Sequence, residues 1–269
     1  MEGATPIEVA FAALARLFSF QEAEVQTFFA VFIRVGAVAA LLPGFGERAM
    51  PARVRLVVGF AFTAIVWPAV APALPSGIDT APLAFGRLVL AEATCGIALG
   101  IAIRFVVFAL QTAGAMASQA TAVSQILGAG VTPDPLPAIG NALVLAGIAC
   151  ALAAGLHVKA AAAMIDSYDV LPFGLFPVAG DLAEWGISRG AEAFGLAFAL
   201  AAPFLVGSLL YNVALGAINR AMPQLMVAFV GAPAITAGAL LLLLVAAPTM
   251  LRFWNARLDE VLAAPFGVR

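Results

Sequence analysis

Ala193–Leu251 reads AFGLAFALAAPFLVGSLLYNVALGAINRAMPQLMVAFVGAPAITAGALLLLLVAAPTML, and Arg220 is its only charged residue. The two flanking runs, Ala193–Asn219 and Ala221–Leu251, contain 27 and 31 uncharged residues. A helix needs about 20 apolar residues to cross a bilayer, so each run is long enough. Neither shows the period-2 alternation of an outer-membrane barrel, whose strands come in segments of about 10 residues. The stretch therefore sets the fold class as all-α, with polytopic, membrane-associated helical hairpins.

The rest of the chain follows the same pattern. Leu56–Ile78, Phe105–Pro133 and Pro135–Leu156 are further uncharged runs, and Arg34 alone interrupts Val25–Gly46. Candidate spans are 25–46, 56–78, 83–131, 135–156, 193–219 and 224–251, within a single domain of residues 1–269. Breaks are expected at Pro43–Gly46, Pro72–Gly77, Pro133–Pro137 and Pro172–Gly180, because proline removes a donor and blocks the preceding turn. Pro203, Pro223, Pro233 and Pro248 predict kinks or re-entrant corners. Thr5-Pro6-Ile7-Glu8 is a capping box, and Asp181 with Glu184 marks a second helix start. Two small-xxx-small pairs, Gly96/Gly100 and Gly186/Gly190, predict close helix contacts.

Composition excludes most other classes. The 269 residues are 64% hydrophobic and 10% charged, with 13 basic and 15 acidic side chains and a net charge of −2. A soluble domain carries about 25% charged residues. No basic stripe points to nucleic acid, and a disordered chain has the opposite balance. Cys95, Cys150 and the single His157 are dispersed, too few for a metal site. No nucleophile stands beside a base and no phosphate loop occurs, so neither an enzyme nor a cofactor is expected. The N-terminus, with Glu8 and no basic region, does not read as a cleaved signal.

Charge placement resists simple threading through a bilayer. Arg48, Arg53 and Arg55 put the first connection in the cytoplasm, and Arg252 and Arg257 put the C-terminus there too. Six crossings cannot satisfy both; an odd number, or hairpins that do not cross, can. Charges inside apolar runs are functional candidates. For Arg34, Arg87 and Lys159 the favoured reading is snorkelling or pairing at a subunit contact. Glu92 is shorter, so a partner Arg on a neighbouring helix is expected. His157 and Lys159 mark a helix end. Gln111–Asn141 stands apart as uncharged but rich in small polar groups and glycine, a composition that suits either a packing face or a mobile element facing a pore.

Four motifs then resemble the FliR/SctT family of type III export-gate proteins. They are Pro43 with Glu47-Arg48-Ala49-Met50-Pro51, Arg53-Val54 and Leu56; Gly96 to Gly100 with Thr112-Ala113-Gly114, Gln119 and Asp134-Pro135; Gly155 and His157 with Ser167, Leu171-Pro172 and Gly174; and Ala214-Leu215-Gly216 with Asn219-Arg220, Pro223-Gln224-Leu225 and Phe229 to Pro233. The chain departs from the family at Met226, at Leu156 and in a longer Gln119–Asp134 segment.

The resemblance implies a core subunit of a flagellar export gate in the bacterial inner membrane. It would form a helical cone with P-type and Q-type subunits, next to the B-type switch protein, around a path for unfolded substrates. A lumen plug would fall at 119–141. Its candidate gating residues are Met116, Gln119, Thr121, Ser124, Gln125, Ile126, Leu127 and Asp134; ordinary helix packing is favoured for Met226. Glu47, Arg48, Pro51, Arg53, Glu92, His157, Asn219, Arg220, Pro223 and Gln224 would serve assembly. The competing expectation is a small-solute or proton-coupled transporter, for which Glu92 is the only strong intramembrane carboxylate.

Overall fold

The computed structural model describes residues 22–47, 50–75, 78, 81–121, 138–222 and 227–267. Among them every regular element is helical. The helices are α1 (Glu22–Leu41), α2 (Ala52–Val70, continued by a 3₁₀ turn at Ala71–Ala73), α3 (Pro82–Ala120), α4 (Ala138–Ala153), α5 (Leu156–Val170), α6 (Ala179–Ala221) and α7 (Val227–Ala263). Five are long and apolar enough to cross a membrane, and α4 with α5 adds a sixth if the bent pair is one span. The polytopic all-helical expectation therefore stands.

The starts and stops have local causes. Pro82 opens α3 at a position where its missing donor is not needed. Pro51 precedes α2, and Pro43-Gly44 follows α1. Gly155 has φ +82 and separates α4 from α5, whose axes meet at 75°. A side chain at that backbone angle would be strained, so glycine permits the elbow. α6 begins at Ala179, with Asp181 in its first turn as expected for the helix dipole.

Several lengths differ from the uncharged runs. α6 and α7 are 43 and 37 residues long, and α3 is 39. At 1.5 Å per residue these reach about 55–65 Å, roughly twice a hydrocarbon core. Charge-free runs mark only part of each of these helices, the later part of α6 and the earlier part of α7, because polar residues near an end are also helix formers. The helices also continue through Pro203, Pro233 and Pro248, so none of the three forms the re-entrant corner that was one expectation there. Each proline frees one carbonyl, a local loss that a long, otherwise regular helix absorbs. The 135–156 run ends at the elbow with only Leu156 inside α5, so the rest of α5 lies beyond every candidate span. Pro223 and the capping box at Thr5 lie outside the described residues.

α3 is the central element. α1 lies parallel to it, with Arg34 and Ala37 beside Gly96, and Leu41 beside Gly100. α2 returns antiparallel to α1, fixed by stacked Phe32 and Phe60 and by Trp67 edge-on to Phe28. On the other side of α3, α4 runs antiparallel. Gly114 lies so close to Gly140 that a Cβ would stand 2.2 Å from its Cα. α6 accompanies α3 in parallel, and Ser208 donates to the Ala120 carbonyl at 2.5 Å. α7 returns along α6, and its fully buried Trp254 donates from Nε1 to the Val106 carbonyl at 2.7 Å.

The small-residue expectation divides in two. Gly96 and Gly100 are contact points: a Cβ on Gly96 would come within 2.3 Å of the Arg34 carbonyl oxygen. Gly186 and Gly190 face open space, with nothing within 4 Å of an added Cβ. The same spacing serves contact on α3 and leaves a bare face on α6.

Candidate functional site

Two regions carry the polar groups: a buried ion pair at the junction of α1, α3 and α5, and the C-terminal end of α3. At the first, Arg34 and Glu92 are 1% and 0% exposed. Arg34 donates from Nε to Glu92 Oε2 at 2.8 Å and from Nη2 to Oε1 at 3.0 Å, a two-pronged pair. Its Nη1 donates to the Leu171 carbonyl at 2.9 Å, and the guanidinium lies 3.9 Å from the centre of the Tyr168 ring. Glu92 Oε1 also accepts the Gly174 N–H at 2.8 Å, and Oε2 accepts the Tyr168 hydroxyl at 3.4 Å. An ionised carboxylate has about four acceptor sites, and here four donors meet it.

The backbone is shaped for this arrangement. Gly96 sits one turn beyond Glu92 and lets α1 approach closely enough for Arg34 to reach it. Gly174 has φ +72, which turns the segment after α5 so that its N–H faces the carboxylate. Ser167, in the last turn of α5, donates its hydroxyl to the Met164 carbonyl and accepts the closing Leu171 N–H at its own carbonyl. The expectation that Glu92 meets an Arg from a neighbouring helix is met by Arg34. The favoured reading of Arg34 itself needs correction: it neither snorkels nor reaches a subunit contact, because the carboxylate and the Leu171 carbonyl hold it inside the chain.

A buried ion pair usually sacrifices solvation that its attraction only partly restores. Its contribution here is geometric, tying three helices and the 171–178 connection to one point. It also leaves Glu92 with no open acceptor and no water-facing edge, an arrangement unsuited to a proton carrier. Sequence reasoning missed Tyr168 and the carbonyl of Leu171. The signal lay in the third motif, whose Ser167, Leu171-Pro172 and Gly174 all gather around this pair.

At the second region, Met116 is half-buried against the core, Gln119 is exposed, and Thr121 is buried. Thr121 Oγ1 donates back to the Ala117 carbonyl at 2.8 Å, closing α3. Ser208 and Asn212 of α6 join this end. Ser124, Gln125, Ile126, Leu127 and Asp134 lie outside the described residues.

The remaining motif residues are dispersed. Glu47 accepts a bond from Arg104 Nη1 at 2.8 Å, which ties the α1–α2 connection to α3. Pro51 and Arg53 are exposed at the start of α2. His157 is exposed in the first turn of α5, beside an apolar recess lined by Phe45, Phe62 and Ile65. Its helix boundary is thus a start. Lys159 pairs with Asp259 of α7 at 2.6 Å, so it too has a partner within the chain. Arg87 is exposed on α3, and Asn219 and Arg220 are exposed at the end of α6. Arg48, Pro223 and Gln224 lie outside the described residues, as do the side chains of 227–233. Among the described residues no cluster of His, Cys, Asp and Glu has metal-site geometry.

Comparison with known proteins bears on these motifs. Residues 25–261 match the profile of the family described as bacterial export proteins, family 1. The flagellar biosynthetic protein FliR of Caulobacter vibrioides is 31% identical over 236 residues, covering 86% of this chain and 92% of that protein. FliR of Escherichia coli K12 is 28% identical over 213 residues, 77% and 78% of the two chains. FliR of Bacillus subtilis is 28% identical over 223 residues, 81% and 85%. The match runs from the first turns of α1 almost to the end of α7, so it takes in the ion pair, the elbow and both long C-terminal helices: the chain belongs to family 1 of the bacterial export proteins.

Proposed function

We propose that the chain is a core, non-catalytic subunit of the flagellar type III protein export gate in the bacterial inner membrane. The observation that carries this reading is the family match across residues 25–261, shared with relatives named as flagellar biosynthetic proteins. The exposed apolar flanks of α6 and α7 support it, because Phe194, Leu209, Leu210, Leu241, Leu244 and Val245 are each more than half exposed on long helices. Such surfaces need lipid or other helices to cover them.

In this reading the chain joins P-type and Q-type subunits, and the B-type switch protein, in a helical cone through which unfolded flagellar substrates pass. Residues 119–141 form a plug in the lumen, attached where Thr121 closes α3. Met116, Gln119, Thr121, Ser124, Gln125, Ile126, Leu127 and Asp134 line or support the closed gate. Apolar constrictions block ions by excluding water, and a flexible methionine can deform around a passing chain. Glu47, Arg48, Pro51, Arg53, His157, Asn219, Arg220, Pro223 and Gln224 organise assembly, while Glu92 sets the internal frame.

Deletion of Ala120–Val131 tests the plug. Cells expressing the shortened chain should leak ions through assembled gates, and unchanged leakage removes the assignment. Mass measurement of the detergent-extracted complex tests the company the chain keeps: one copy with unlike partners is expected. A transporter would be extracted alone or as a homo-oligomer. The saturated state of Glu92 weighs against that alternative.

A further inference from the structure

The α1–α2 hairpin carries a second feature that the gate reading does not use. Phe32, Ile33, Gly36 and Ala40 of α1 and Ala52, Arg55, Leu56 and Gly59 of α2 line an open groove of about 300 Å³. Gly36 and Gly59 face each other, so the groove is cut where neither helix has a side chain. From Phe32 to Ala40 it runs about 12 Å along α1. Its lining is hydrocarbon except for Arg55 at one end. Arg55 has its Nε buried and without a hydrogen-bond partner among the described residues.

An apolar channel on a membrane-length hairpin, closed at one end by a guanidinium whose Nε has no partner among the described residues, has the chemistry of one ligand class. We propose that this groove binds an anionic phospholipid. One acyl chain lies over Gly36 and Gly59, and the phosphate is held by Arg55. A neutral lipid would fill the channel equally well but leave the Arg55 donors less well matched. Guanidinium and phosphate form charge-assisted, two-pronged bonds, and basic pockets between membrane helices select anionic headgroups in this way. The neighbouring Arg34 cannot contribute, since Glu92 and Leu171 occupy it.

The test is native mass spectrometry of the full chain and of its extracted complex, incubated with phosphatidylglycerol, phosphatidylcholine or inorganic phosphate. One phosphatidylglycerol should be retained with about a fivefold preference over phosphatidylcholine, the weight of one arginine near an anionic headgroup. Arg55→Gln should abolish that preference while leaving weak retention of either lipid. Ala40→Leu, at an exposed position that fills the channel without touching the core, should reduce retention of both. Equal retention of the two lipids by the wild type overturns the proposal, as does an unchanged preference in Arg55→Gln. Retention of free phosphate that displaces the lipid overturns the acyl-chain part. Retention by the isolated chain but not by the complex shows a protein partner in the groove and overturns it for the assembled gate.

Discussion

α3 and α7 have equal mean hydropathy in their most apolar stretches, yet 61% of the first is buried within the chain and only 11% of the second. The two helices are also of similar length. What separates them is the company of their small and charged residues. Along α3, Gly96, Gly100 and Gly114 each meet another helix, and Glu92 is held inside by Arg34. Along the hairpin of α6 and α7, Gly186, Gly190, Gly216 and Gly238 meet nothing within 4 Å, and large apolar side chains point outward. Hydrophobicity therefore sets which segments avoid water, whereas close approach sets which of them this chain covers itself. The inner helices form a frame; the outer hairpin is a surface for something else.

Substitutions can break or sharpen that contrast, and the largest effect on the isolated chain belongs to the ion pair. Glu92→Ala strands a buried guanidinium and should destabilise the extracted chain by about 3–5 kcal/mol, visible as a large fall in its thermal unfolding temperature. The double change Arg34→Met with Glu92→Leu should recover most of that loss. If it does not, the pair contributes attraction beyond geometry. Gly96→Val comes next, at about 1–3 kcal/mol, because its added carbons meet the Arg34 carbonyl and force α1 away from α3. Gly190→Val on α6 is its control, and equal loss from both would erase the distinction between frame and surface.

Lys159→Ala should cost less than about 1 kcal/mol, since its pair with Asp259 is substantially exposed. The smallest change in the isolated chain is expected for Leu244→Gln, within about 0.5 kcal/mol. Swimming and flagellin export should nevertheless fall, and unaltered motility would mean that the outer face of α7 has no covering partner.

Much of the frame was legible as segments and little of it as contacts. Long apolar runs and proline-glycine breaks locate the described helices except α5, which but for Leu156 lies outside every apolar run and begins at a lone Gly155 with no proline to announce the turn. The runs fail at helix ends, as in α6, whose first turns contain Asp181, Glu184 and Trp185 and so look unlike a span. Faces were harder still. An amphipathic stripe tells which side of a helix is covered when the other side is charged. Here both sides are alanine, leucine and glycine, and nothing in Gly96-Ile97-Ala98-Leu99-Gly100 differs in kind from Gly186 to Gly190.

The ion pair shows what else helped. Glu92 could be given an arginine partner from solvation alone, but Arg34 is 58 positions away, and only the parallel pairing of α1 with α3 brings it to the carboxylate. The motif at Ser167 to Gly174 named the right neighbourhood through resemblance without showing its chemistry. Local spacing could not predict that a carboxylate on α3 would collect a backbone N–H from beyond α5.

The elbow at Gly155 also decides the direction of the helices that follow it. α4 and α5 are 16 and 15 residues long, about 24 and 22 Å, and neither alone spans a 30 Å hydrocarbon core. Bent by 75° at the glycine, the two together carry the chain from Gly140, beside Gly114 near the end of α3, back to Gly174, beside Glu92 near its start. That return is what lets α6 run in the same direction as α3, with Ser208 reaching Ala120 at the far end. A single left-handed glycine thus joins two short helices into one return path, and it sets the direction of the two long helices that follow.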